Sequence, residues 1–197
     1  LAWGFTNTGP DVQDLFIEAL DEKNSGQYKT PEGWANFLLR EETIQVKGEK
    51  PQSIIVRESR HGPIISDVYP RAQQLLDTSK FALALRWTAL DTHNQTILAG
   101  FEMNKAKDIR EEFTEAIKYY YAPMQNIVMA DTQGNIAYRA FGAVPKRTKN
   151  QGFMGVAPGF GWEKQFDWQG YIPYSNLPKE DNPSRGWIAT ANQRVQG

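Results

Sequence analysis

The chain has 197 residues, 40% of them hydrophobic, with 22 Lys plus Arg against 23 Asp plus Glu. That supports one packed domain or two at most, without the basic excess expected of a nucleic-acid binder and without the roughly 20-residue apolar run that spans a bilayer. Cysteine is absent and His61 and His93 are the only histidines, which excludes disulfides, thiolate zinc sites, cysteine nucleophiles and an HExxH zinc helix.

The stretch DVQDLFIEAL (11–20) places Val12, Leu15, Phe16 and Ala19 on one helical stripe, and it also reads as a strand running in from LAWGFT. Both readings stay open. ETIQVK (42–47) and SIIVRE (53–58) alternate polar and β-branched residues around GEKPQ, which predicts a hairpin. HGPII (61–65) predicts a short strand, and the continuous apolar run of FALALRWTAL (81–90) predicts a buried one. Asn104 is the expected cap of a helix from about Lys105 to Tyr119, with Ala106, Ile109, Phe113, Ala116 and Ile117 on its buried face. Residues 126–144 predict two strands around the DTQGN turn. From 145 onward Pro, Gly and aromatics predict a long irregular segment, ending in a strand at GWIATANQ (186–193). Strands, helix, strands in that order predict an α+β fold with a mainly antiparallel sheet.

Chemistry is sparse. Asp11 and Asp14 stand behind a Gly-Pro turn with the carbonyl of Gln13 between them, a set that suits calcium or is simply solvated charge at an element start. The TNTG turn exposes backbone N–H groups of the kind that make an oxyanion hole. Asn192 sits where an apolar strand is expected to turn polar, so its amide either donates to an oxyanion or ties down a loop. No Ser–His–Asp arrangement forms around His61 by spacing, and a turn histidine is the simpler reading. Trp87, Trp162, Trp168, Trp187, Phe153, Phe160, Phe166, Tyr171 and Tyr174 suit an apolar pocket, a sugar platform or a core. The chain opens on Leu1 without an initiator Met and stops at Gly197, so we expect a piece of a longer protein.

Seven phrases in order, AWGFTNTGPDVQDLF (2–16), RHGPI (60–64), LRWTAL (85–90), QNIVMADTQGNIAY (125–138), FGAVPKR (141–147), APGFGWEKQFDWQGYIPYSNLP (157–178) and NPSRGWIATANQ (182–193), resemble the penicillin acylase family of N-terminal-nucleophile amidohydrolases. The resemblance implies a four-layer αββα sandwich, made by self-cleavage of a periplasmic or secreted precursor. It also implies an N-terminal serine that is nucleophile and, through its own α-amine, base. The substrates implied are acylated small molecules such as β-lactams and acyl-homoserine lactones.

Carried over by residue, Asn7 implies an oxyanion donor through its main-chain N–H, and Asn192 a second through its side-chain amide. Asp11, the carbonyl of Gln13 and Asp14 imply ligands of a structural calcium ion, with a further carbonyl near Phe153. Phe5, Trp87 and Gln125 imply the acyl pocket, where Gln125 replaces an apolar residue. The serine is expected some tens of residues before AWGFTN, a supporting arginine past Gly197, and a small partner chain that completes the pocket and the calcium site. The chain alone is therefore expected to be inactive. The competing reading is a non-catalytic extracytoplasmic module using the 153–187 aromatics as a carbohydrate or peptide platform.

Overall fold

The computed structural model describes residues 1–149 and 155–193. Strands and α-helices follow one another as β1 (Ala2–Asn7), β2 (Gln13–Asp21), β3 (Asn24–Thr30), β4 (Gly33–Asn36), β5 (Leu38–Ile44), β6 (Gln52–Ser59), β7 (Gly62–Pro63), α1 (Pro70–Leu75), β8 (Phe81–Trp87), α2 (Thr96–Lys105), α3 (Thr114–Ala116), β9 (Gln125–Ala130), β10 (Ile136–Phe141), β11 (Gly159–Phe160) and β12 (Lys179–Asp181). The fold is α+β with mostly antiparallel sheets, as expected. The chain divides into two compact units, Leu1–Val12 with Thr88–Lys146 and Gln169–Gly197, and Gln13–Trp87 with Arg147–Trp168.

In the first unit the sheet order is β1-β9-β10-β12, antiparallel throughout. The DTQGN turn joins β9 to β10 as predicted. Asp131 Oδ1 accepts from the N–H groups of Gln133 and Asn135, both at 2.9 Å, closing the loop with its own side chain. Ile127, Met129, Ala137 and Phe141 of this sheet pack with Ile109, Phe113, Ala116 and Ile117 in one buried cluster. The predicted buried face of the helix is therefore present, although Ala106 is only partly covered. The helix itself differs. α2 ends at Lys105, and a new helical run starts with a π turn (Ile109–Phe113), passes through α3 and ends in a 3-10 turn (Ile117–Tyr119). Its cap is Asp108, whose carboxylate accepts from the Glu111 N–H at 2.7 Å, rather than Asn104. The strand expected at 186–193 does not form. Trp187 is exposed and Asn192 has φ +56°, a left-handed conformation that no ladder accommodates.

In the second unit the 13–21 stretch is a strand, so its helical reading falls. Asp14, Phe16 and Glu18 are buried at every second position, and β8 pairs with Gln13 through Ala19. Two of those inward residues are acidic, which hid the alternation from an apolar pattern. On its other side β2 meets β11 in the one parallel pairing among the described strands, and β3 further along. The predicted hairpin is β5 paired with β6, from Leu38 opposite Glu58 to Ile44 opposite Gln52, starting four residues before the expected strand, and β7 extends it. Phe16, Tyr28, Phe37, Ile64, Ala82, Ala84 and Phe166 form the core.

Glu18 is completely buried within this core. Its Oε1 accepts from Ser59 Oγ at 2.7 Å and lies 2.7 Å from His61 Nδ1, while His61 Nε2 lies 3.1 Å from Asp167 Oδ1. The imidazole stacks on Phe16 at 3.7 Å. Arg60 grips the same Asp167 in bidentate fashion at 2.7 and 2.8 Å and donates to the Gly161 carbonyl. A Cβ at Gly161 would collide with the buried Glu18 carboxylate, so only glycine lets the chain pass. His61 thus does sit at a turn, but buried and fixed between two carboxylates. Ser59 hydrogen-bonds Glu18 and the His61 backbone, not the imidazole, so no nucleophile is activated.

Two tests follow from these cores. Phe113 is fully buried, and Phe113→Ala is expected to remove about 3–5 kcal/mol of unfolding free energy, read by chemical denaturation. Burial pushes the Asp167 carboxyl up, but hydrogen bonds from His61 and Arg60 outweigh it and hold its pKa at about 2. A carboxyl depressed on folding stabilises fully above its unfolded pKa, and loses that contribution as pH falls from about 4 toward 2. The loss is expected to reach about 2 kcal/mol at pH 2 in urea titrations, and Asp167→Asn should lack this part of the acid dependence.

Candidate active site

Alternate backbone groups of a strand point to opposite sides. β1 pairs with β9 on one side and has no neighbouring strand on the other among the described residues. The N–H of Asn7, the last residue of β1, points to that open side. Gly9, at φ +63°, then turns the chain away immediately after the strand.

The group that meets this N–H is Asn192. Its Oδ1 accepts from it at 2.8 Å, across 185 residues of sequence. An asparagine tolerates the left-handed backbone found here, and its short carboxamide reaches the strand edge. The structure therefore brings the two expected oxyanion residues together, but joined to each other as donor and acceptor. The reason is elementary: a backbone N–H facing no other acceptor takes the nearest amide oxygen.

Gln125 stands directly opposite Asn7 in the β1–β9 register. It is buried, and its Nε2 donates to Asn7 Oδ1 at 2.9 Å. Next to it the fully buried Asn126 accepts from the Tyr138 hydroxyl at 2.6 Å and extends Nδ2 toward the Asn7 carbonyl at 3.4 Å. Burial raises the Tyr138 pKa, so that hydroxyl keeps its proton. Phe5 is partly exposed on β1, with its ring against Trp3, Tyr120 and Phe141. These residues belong to the first unit. Trp87 belongs to the second, where it ends β8 opposite Gln13. Sequence reasoning overlooked Asn126 and Tyr138, though both lie in the quoted QNIVMADTQGNIAY phrase.

The three expected calcium ligands are placed as follows. Asp11 is exposed and belongs to the first unit, whereas Gln13 and Asp14 start β2 in the second. Asp14 is buried, and both its oxygens accept hydrogen bonds from Arg147, at 2.8 and 3.1 Å, with the Trp168 indole N–H also on Oδ2. Arg86 lies over the Trp168 ring at 4.3 Å. The charge of Asp14 is thus matched by a guanidinium, and no group of three or more acidic or histidine side chains arranged to hold a metal ion occurs among the described residues. The carbonyl expected near Phe153 lies outside the described residues.

Of the late aromatics, Phe160, Trp162 and Phe166 pack on one another, with Phe81 against Trp162. Tyr171 and Tyr121 both donate to Asp91 Oδ2. Among the described ones only Trp187 is largely exposed, and Arg185 covers one of its faces. They serve as packing elements, not as an open platform.

The model of the penicillin amidase family matches residues 1–197. The chain is 34% identical over 196 residues to the acyl-homoserine lactone acylase QuiP of Pseudomonas fluorescens Pf-5, covering 99% of this chain and 23% of that protein. It is 32% identical over 196 residues to the penicillin G acylase of Escherichia coli, covering 100% of this chain and 22% of that one. Among solved structures, the thermostable penicillin G acylase of Alcaligenes faecalis superposes with a TM-score of 0.80 at 26% identity, over 99% of this chain and 33% of that one. The chain therefore spans less than a quarter of the length of these two curated relatives. With the fold, the ordered phrases and the family match agreeing, the chain belongs to the penicillin amidase family.

Proposed function

We propose that this chain is the oxyanion-binding portion of an amide hydrolase that acts on acylated small molecules. Its nucleophile is a serine at the start of the mature large chain, upstream of Leu1. The observation that carries the reading is the contact between the Asn7 N–H and the Asn192 carboxamide. In it an oxygen atom already lies 2.8 Å from the backbone donor, within the 2.7–3.1 Å required of an oxyanion contact. Attack by the serine hydroxyl would convert the scissile carbonyl into a tetrahedral oxyanion. Its α-amine would take the hydroxyl proton and return it to the leaving amine. The Asn7 N–H then donates to the oxyanion, and turning the Asn192 carboxamide about its last bond offers Nδ2 as the second donor.

The acyl group is read from relatives named for penicillin G and acyl-homoserine lactones, so both substrate classes belong to the proposal. Phe5 is assigned to the acyl pocket on the family resemblance. A small partner chain, the rest of the large chain, self-cleavage of a precursor and a periplasmic or secreted location are proposed on the family resemblance. No step requires a metal ion, and none is assigned.

In the full-length processed enzyme, Asn192→Ala is expected to lower kcat by about 10²–10³-fold, measured on chromogenic phenylacetyl and fatty-acyl amides. Unchanged kcat would sink the oxyanion assignment. The purified 197-residue chain is expected to give no turnover of the same amides above background, because the proposed serine lies outside it.

A further inference from the structure

Gln125 was expected to wall an acyl pocket, but only 8% of it is exposed, which leaves little surface for a substrate. Its polar end is committed to Asn7: Nε2 donates to Asn7 Oδ1 at 2.9 Å. Asn7 is the terminal residue of an edge strand, opposite Gln125 in register, and the chain turns away at Gly9. With the Asn7 N–H directed to Asn192, the Asn7–Gln125 pair is of the kind that exchanges no backbone hydrogen bond and brings side chains closest. The donor is therefore not held by a ladder bond of its own. The side chain of Asn7 is held instead, and behind Gln125 the buried Asn126 and the Tyr138 hydroxyl form a second amide anchor beside it.

We propose that Gln125 is a positioning residue for the oxyanion donor, acting through the Asn7 carboxamide to fix the direction of the Asn7 N–H. The proposal rests on the oxyanion reading above. It assigns Gln125 no contact with the acyl group, and it makes the Asn7 side chain part of the machinery as well as its backbone. An apolar side chain at 125 would leave Asn7 Oδ1 without this donor and the end of β1 free to rotate.

The test uses the full-length processed enzyme, with active sites counted by titration and folding followed by Tm. Gln125→Met keeps nearly the same length and cannot donate. It is expected to lower kcat about tenfold, the loss of one hydrogen bond, while KM stays within about twofold across acyl amides of different chain length. Asn7→Ala removes the accepting oxygen and keeps the main-chain N–H, so it should show a similar loss, and the double variant should lose no more than either single one. A changed KM or acyl-length preference with kcat intact would make Gln125 a pocket wall and overturn the proposal. Additive losses in the double variant, or wild-type kinetics for Gln125→Met, would overturn it too. If Gln125→Met yields no processed enzyme, Asn7→Ala decides alone, and unchanged kcat there overturns the proposal. Full activity of Asn192→Ala would instead mark the failure of the oxyanion reading itself.

Discussion

A strand at the edge of a sheet carries backbone N–H groups that no ladder satisfies, and each needs an acceptor from elsewhere. At the end of β1 that requirement falls on Asn7, and it is met by a side chain 185 residues away. Much of the local design can be understood from this one donor. Gly9 removes the following residues from its path, and Asn192 adopts a conformation that few other residues tolerate. Gln125 steadies the residue that bears the donor. A fully paired strand would have used the Asn7 N–H in its own ladder.

The second unit is organised by buried charge. Glu18 has no exposed surface, and Ser59 and His61 both bond its Oε1. Asp167 binds the other face of His61 and receives the Arg60 guanidinium. Asp14 repeats the principle with Arg147 and Trp168. Such pairs contribute little net stability beyond an apolar replacement, because desolvation offsets their attraction, but removing one partner strands the other. Their effect is to fix which loops meet β2. RHGPI and the 161–167 segment are tied to that strand by directional bonds, where apolar contacts alone would permit sliding.

The fold was legible where local rules decide it. The hairpins at 38–59 and 125–141 follow from alternation and turn chemistry, and the buried face of the 109–117 run follows from spacing. The strand at 13–21 was ambiguous because Asp14 and Glu18 occupy inward positions, and their partners His61, Arg147 and Trp168 lie 43 to 154 residues away. The helix cap was misplaced by four residues because Asn104 and Asp108 are both competent caps, and only packing chooses between them. At 186–193 the β-favouring residues had no partner strand, so propensity alone predicted a ladder that the structure lacks. Residue chemistry left the TNTG turn and Asn192 open between an oxyanion role and plain turns, and the ordered phrases singled out Asn7 and Asn192 as a pair. Asn126 and Tyr138 escaped, and Gln125 was read as a pocket residue, because a polar side chain in a strand carries no sign of what it bonds.

The contact between Asn7 and Asn192 also bears on how such a site could remain ordered without a substrate and still yield to one. In the free chain the donor holds a neutral amide oxygen. A tetrahedral intermediate would replace it with an oxygen bearing full negative charge, and charge-assisted hydrogen bonds are about twice as strong as neutral ones. The exchange is therefore weakest for a neutral ground-state carbonyl, which gains little over the amide it displaces, and strongest where charge develops. On the oxyanion reading proposed above, the amide displaced is the same one whose nitrogen, after rotation, would become the second donor, so displacing the placeholder and completing the site would be one movement.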